Sequence, residues 1–392
     1  MSVIATVFLK EVLENLRDRR VVLSAFFFGV LLAPALFALL TTIASNRAVR
    51  DQEQPLKLPV IGAEHAPNLM QFLAEYGAEI EQVSFPAPEA VEKVRSGAHT
   101  MVLIISPEYG ERLQKGEPAP LHLVLDSSNT RASGTTERAR RLLESYGRQS
   151  AAMRLIARGI GAEVLTPIEV RGVDVATPAG RSVLILGMMT YFCLMSMLVG
   201  GFYLAIDTTA GERERGSLEP LLSLPVTRTQ LIVGKIAATC AFMAISLLLT
   251  LVATAIALSF VPLETLGMSA NFGPRVVLAI FGVMVTFVPL GAGLMTLVAS
   301  FTRSNREAQT WLSVVLIVPL APIMFAVMNG TRPNTALMAI PSLSQHLLAT
   351  DLIRGDGINM VHMVVSAATT LGVGFILIWI ATRLYRRDAI LG

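Results

Sequence analysis

Between two long apolar runs the chain carries GERERGSLEPLLSLPVTRTQLIVGK, residues 211–235, a burst of charge in a sequence otherwise poor in it. Glu212, Arg213, Glu214 and Arg215 place both signs on four adjacent residues, which suits a contact surface better than a nucleophile or a metal site. Gly216 permits a break, and Ser217 is a good N-cap for a new helix. Pro220 is tolerable only in a first turn, Leu218, Leu221 and Leu222 share one face, and Pro225 forces Leu224 out of helix. The spacing predicts a helix of about two turns over 217–224, lying across a membrane surface. Thr227 and Gln230 then form a T-x-x-Q capping box that starts the next helix, with Lys235 at the lipid boundary. Glu212 to Arg215 are expected in water. A short helix fixed by such caps and breakers can transmit a push from a partner; the same residues also fit a solvated loop whose arginines only set topology.

Other reactive constellations are missing from the sequence. No G-x-x-x-x-G-K-[ST] loop occurs, since Gly234 and Lys235 lack both the upstream Gly and the following hydroxyl. If ATP drives this protein, another chain must hydrolyse it, and no cofactor is expected here. His65, His99, His122, His346 and His362 are scattered without ligand spacing, so no metal site is expected. SGTTERAR reads as a turn with a helix cap, and no G-x-S-x-G elbow is present. Ser196, Ser246 and Thr250 offer hydroxyls inside apolar runs without a partner base, which argues against an intramembrane protease.

These residues sit in a chain that is 53% hydrophobic and 16% charged, against about a quarter charged in soluble domains. Uncharged runs long enough to cross a bilayer lie at 21–43, 182–206, 236–261, 276–301, 311–328 and 363–381. None has an acid or base near its centre, where one costs about 2.5–3.5 kcal/mol and would mark a pathway. A sodium site built from hydroxyls and carbonyls and a site for an apolar or amphipathic molecule both stay open. Twenty residues precede the first run, and the run is too long for a signal peptide, so it reads as a retained anchor. Residues 1–20 read as an amphipathic interfacial helix, with Ile4, Val7, Phe8, Val12, Leu13 and Leu16 opposite Lys10, Glu11, Glu14 and Asp18.

Lys10, Arg17, Arg19, Arg20, Arg213, Arg215, Arg228, Lys235, Arg303, Arg306, Arg383, Arg386 and Arg387 fall on one side of this layout; Arg275, Arg332 and Arg354 fall on the other. The bias predicts cytoplasmic termini; the expected location is the plasma membrane, the bacterial inner membrane. Residues 44–181 alternate strand-like runs (LKLPVIG, IEQVSF, TMVLIIS, PLHLVLD) with helix-like ones, then a helix from about Thr136 to Gly159 and a last strand, PIEVRGVDV. The expected fold is a polytopic α-helical membrane protein with six transmembrane helices and a large extracytoplasmic α/β domain inserted between helices 1 and 2. Helices 2 to 6 occupy 182–392, with a cytoplasmic coupling segment at 207–235. Cys193 and Cys240 both lie in apolar runs, so that domain cannot be stapled by disulfides. A net charge of +3 without a basic cluster leaves no nucleic-acid footprint. Residues 329–360 read equally as a re-entrant element, after a break at Pro319 and Pro322, or as a surface loop.

The run at 211–235 resembles the signature of type 2 ABC exporter permeases: a charged, glycine-containing helix end, a Leu-rich coupling helix, a proline and a Gly-Lys pair. Layout extends the similarity over essentially the whole chain, to the sodium-efflux permeases among them, with IPSLSQHLL before the last span. The resemblance implies that Glu212, Glu214, Arg215, Gly216, Ser217, Glu219, Leu221, Leu222 and Pro225 contact an ATP-binding subunit that carries ATP and Mg. Ser217 stands where the family more often has Thr. It also implies two copies of that subunit beneath a permease homodimer, exporting sodium or a small hydrophobic or amphipathic substrate. The competing function is a membrane-anchored sensory or assembly protein with a ligand-binding outer domain. Gly187, Gly200, Gly201, Gly291 and Gly293 are candidates for packing or pathway surfaces, and fit ordinary glycines of membrane helices still better.

Overall fold

The computed structural model describes residues 2–392 except 54, 130–132, 167, 169–176, 218–219, 221–224, 262, 267, 270, 332 and 386–392. The chain divides into two compact units, Asn46–Asp174 and the remainder, Met1–Ser45 with Val175–Gly392.

The smaller unit is built on a four-stranded sheet of order β2-β1-β3-β4, from β1 (Leu56–Ile61), β2 (Ala78–Gln82), β3 (Met101–Ile105) and β4 (Leu121–Leu125). β1 runs parallel to β2 and β3, and β4 closes one edge antiparallel to β3, with Leu103 opposite Leu123. Leu56, Leu58, Met101 and Leu103 are fully buried, as expected of parallel strands covered by helices. Helices Pro67–Glu75, Ala87–Arg95 and Ser133–Ala157 accompany the sheet. The four strands fall on the four runs the sequence marks, and the long helix begins three residues before the expected Thr136. The strand expected over PIEVRGVDV lies outside the described residues.

Among its described residues the larger unit has six helices long and apolar enough to cross a membrane: spans 1 (Leu23–Ile43), 2 (Leu186–Glu214), 3 (Arg228–Leu258), 4 (Pro274–Phe301), 5 (Asn305–Asn329) and 6 (Met360–Leu384). Span 2 is the most enclosed, and spans 1, 5 and 6 present most of their surface outward. The main core joins Leu194, Met197, Met243, Leu247, Met284, Phe287 and Met295 from spans 2, 3 and 4. Span 5 breaks between Ile317 and Ala321, where Pro319 and Pro322 remove ladder donors. Span 1 opens with a π-helical turn at Leu23–Phe28, and span 2 ends with another at Asp207–Gly211. Residues 343–350 are all buried within a helix, Leu343–Arg354, that packs on spans 2 and 4. That stretch is therefore an internal element of the bundle and not a surface loop.

Candidate functional site

The π turn decides the geometry at the foot of span 2. In a regular helix the Glu212 amide would bond to Thr208 O; here it donates to Asp207 O and Thr209 O. Thr208 O instead accepts from Lys235 Nζ of span 3 at 2.9 Å, and the same ammonium is paired with the Glu212 carboxylate. Lys235 is 2% and Glu212 6% exposed. Glu212 is thus not in water and Lys235 not at the lipid boundary, as the sequence led us to expect. Two charges this enclosed persist because each has an opposite partner and further hydrogen bonds.

A third element completes the arrangement. The N-terminal helix Val3–Arg17, capped by the Ser2 hydroxyl, lays Ile4, Val7, Phe8, Glu11, Val12 and Asn15 toward the protein and leaves Leu9, Leu13 and Leu16 exposed. Glu11 therefore lies on the buried face and not on a solvated one. Its neighbours Lys10 and Glu14 stay at the surface, with Lys10 Nζ 3.1 Å from both carboxylates. Close approach to span 3 is possible because Gly234 has no side chain: a Cβ there would stand 2.8 Å from Val7 Cβ and 3.1 Å from Ile4 O. The Gly-Lys pair therefore has two distinct roles, the glycine admitting the N-terminal helix and the lysine reaching back to span 2.

Burial, reinforced by the Glu212 carboxylate and opposed by Lys235 and Lys10, holds the Glu11 carboxyl above its ordinary range. A carboxyl whose folded pKa exceeds its unfolded value stabilises the fold below the unfolded pKa, and that contribution is lost as pH rises through the folded pKa. Glu11→Gln is therefore expected to raise the thermal midpoint near neutral pH, by a few degrees at most. The gain should shrink as pH falls toward about 4. A midpoint difference that stays constant over that range would contradict the assignment.

Around this buried core the remaining charges tie the segment to the turn between spans 4 and 5. Arg213 donates to Thr302 O at 2.9 Å, and Glu214 accepts from the Asn305 amide at 2.7 Å. That turn is itself capped, with Ser304 Oγ accepting from Glu307 N at 3.2 Å and Glu307 accepting from Arg303 N at 2.8 Å. Arg215 pairs with Asp207 at 2.7 Å, which pushes its guanidinium further up. Ser217 donates both its amide and its hydroxyl to Glu212 O. Gly216, at φ +67°, adopts the left-handed turn its lack of Cβ permits. Glu214, Arg215, Gly216, Ser217 and Pro225 are exposed. Glu219, Leu221 and Leu222, and most of the helix expected over 217–224, lie outside the described residues. Thr227 and Gln230 form the expected capping box at the start of span 3.

Inside the bundle, the glycines divide by role. A Cβ at Gly200 would stand 2.5 Å from Ser246 Cβ, at Gly201 2.6 Å from Met243, at Gly291 2.6 Å from Met243 and at Gly293 3.1 Å from Ile378. These four are packing positions, whereas a Cβ at Gly187 would meet nothing within 4 Å among the described residues beyond its own helix. The hydroxyls singled out in the sequence satisfy one another: Ser196 meets Thr250 at 2.6 Å and Ser246 at 3.3 Å, and Ser246 donates to Ala25 O at 3.2 Å. They join spans 1, 2 and 3 as structural bonds. The foot of span 2 is thus bonded to span 3 and to the 4–5 turn, and span 3 packs on the N-terminal helix.

The family model described as ABC-2 family transporter protein matches residues 24–383. The chain is also 25% identical over 360 residues to the ABC transporter permease protein NatB of Bacillus subtilis (strain 168), an alignment covering 89% of each protein. Membership implies a multi-pass membrane protein and an ATP-binding partner subunit, and the sequence carries no phosphate loop of its own. With most of its length matched, the chain belongs to the ABC-2 family of transporter proteins and is a membrane subunit of an ABC transporter.

Proposed function

We propose that this permease couples ATP hydrolysis by a separate subunit to export, and that residues 207–235 form the contact where the stroke enters. One observation carries the reading: the exposed residues Glu214 to Ser217 sit on a foot whose Glu212–Lys235 pair and Arg213–Thr302 bond lock spans 2, 3 and 4 together. A force applied there moves several helices as one body. In this reading both termini and the foot are cytoplasmic in a plasma membrane, two ATP-binding subunits dock beneath a homodimer, and the α/β unit lies outside. Glu212 serves the contact indirectly, by anchoring its base, while Glu214, Arg215, Gly216, Ser217, Glu219, Leu221, Leu222 and Pro225 form its surface. The cargo is sodium or a small hydrophobic or amphipathic molecule. The absence of buried acids at span centres favours the latter, since carboxylates are the usual ligands of translocated cations.

Glu214→Lys removes the acceptor of the Asn305 amide and reverses a charge on the proposed contact; Leu221→Asp places a charge on its apolar face. Each is expected to abolish substrate-stimulated ATP hydrolysis in vesicles holding permease and ATPase, while membrane insertion remains normal. Wild-type stimulation in both variants would sink the contact assignment.

A further inference from the structure

A cavity of about 310 Å³ lies between span 4, span 6 and the Leu343–Arg354 helix, walled by Ala279, Gly282, Thr286, Leu348, Met363 and Ser366 among others. Its lining is almost entirely apolar and carries no charged side chain. Two hydroxyls, Thr286 and Ser366, are its polar groups, and their hydrogens are already committed. Thr286 donates to Val283 O at 2.7 Å, and Ser366 donates to Ser344 Oγ at 2.9 Å.

Behind them stands Gln345, fully buried. Its amide nitrogen faces three hydroxyl oxygens, Thr370 at 2.9 Å and Thr286 and Ser366 at 3.2 Å each. A primary amide has two hydrogens, so three acceptors cannot all be served at once. With Thr370 the nearest, Thr286 and Ser366 compete for the second hydrogen; each hydroxyl oxygen has two lone pairs, so both keep acceptor capacity and neither has a hydrogen left to give. The amide oxygen is fully used, accepting from Ser342 N at 2.7 Å and Ser344 Oγ at 3.2 Å. Ser342 itself has φ +71° and forms a capping box with Gln345 at the start of this helix. Left-handed backbone at a residue other than glycine is a strained feature that concentrates at functional sites.

From this hydrogen count we infer that the cavity is a binding site for a neutral amphiphile that donates one hydrogen bond, an alcohol or amide N–H on an apolar chain. An acceptor-only molecule would meet oxygen lone pairs, and a charged one would meet no counter-charge. The inference goes beyond the transport reading and does not rest on it, because binding is read with no ATPase present.

The test is photolabelling of the full-length permease in lipid nanodiscs with a diazirine-bearing octanol. Label is expected on peptides containing Ala279–Val283 or Met363. Octanol should displace it at concentrations about fivefold lower than octyl methyl ether, the value of one net hydrogen bond. Gly282 lines the cavity, and a Cβ added there meets nothing within 4 Å among the described residues outside its own helix, so Gly282→Leu has room to project into it. That variant should lose the label, and Gly282→Ala should lose less. Equal displacement by alcohol and ether, undiminished labelling of Gly282→Leu, or label spread evenly over the outward faces of spans 1, 5 and 6 would each overturn the inference.

Discussion

Lys235→Ala is expected to remove about 3–5 kcal/mol of stability, because it leaves the Glu212 carboxylate buried without a cation. Glu11 adds a second carboxyl to the same environment and Thr208 O loses its donor, which compounds the loss. Against a typical total of about 5–15 kcal/mol, a cost of this size should deplete the folded protein from membranes. Removing both charges is a different matter. Glu212→Gln combined with Lys235→Met keeps most of the volume and should recover much of the stability, since a buried pair gains little net energy over an uncharged replacement. The check is the thermal midpoint and membrane yield of the two single variants and the double. A double variant as damaged as the sum of the singles would show that the two side chains do not act as a pair.

Gly374→Val is also expected to destabilise the protein, for a different reason. A Cβ at Gly374 of span 6 would stand 2.7 Å from Leu290 N and 3.1 Å from both Leu290 Cα and Pro289 C of span 4. All three neighbours are backbone, so no side chain can rotate away, and the helices must separate. Overpacking of this kind costs about 1–3 kcal/mol or more. Gly187→Ala makes the matched control: it meets nothing within 4 Å and should gain up to about 1 kcal/mol from helix propensity. Thermal midpoints moving in opposite directions would support the division of glycines by role. Equal shifts would contradict it.

Features governed by local pattern could be read from the chain, and features governed by pairing across it could not. The six spans, four strands, break at Pro319 and capping box at Thr227 come from apolar run length, period and cap chemistry within a few neighbouring residues. Glu212 and Arg215, by contrast, look alike in GERERG, yet one is buried and the other is at the surface. The difference comes from the π turn at Asp207–Gly211, whose extra residue rotates the helix beyond it by about 100°. Nothing in the local sequence announces that turn. Lys235 lies twenty-three positions from Glu212, and its partner becomes evident only once spans 2 and 3 are packed. Glu11, read with the polar residues, stands three, four and seven positions from Phe8, Val7 and Ile4 and so shares their helical face. What the spacing does not show is that this face docks on Gly234. In IPSLSQHLL the mixture of apolar and polar residues fits both a loop and a buried element. The deciding feature is that Gln345 finds Thr286, Ser366 and Thr370 on two other spans.

The most direct measurement is cross-linking at the foot of span 2, in membranes containing the permease and its ATP-binding subunit. Cys193 and Cys240 are first replaced by Ala, and a single cysteine is introduced by Ser217→Cys or, as a control on the opposite side of the predicted topology, Ser269→Cys. Cross-links to the ATP-binding subunit are expected from position 217, with a yield that changes when ATP is added, and none from position 269. Cross-linking from position 269 with none from 217, in either nucleotide state, would contradict the assignment of residues 207–235 as the place where ATP hydrolysis is coupled to the membrane helices.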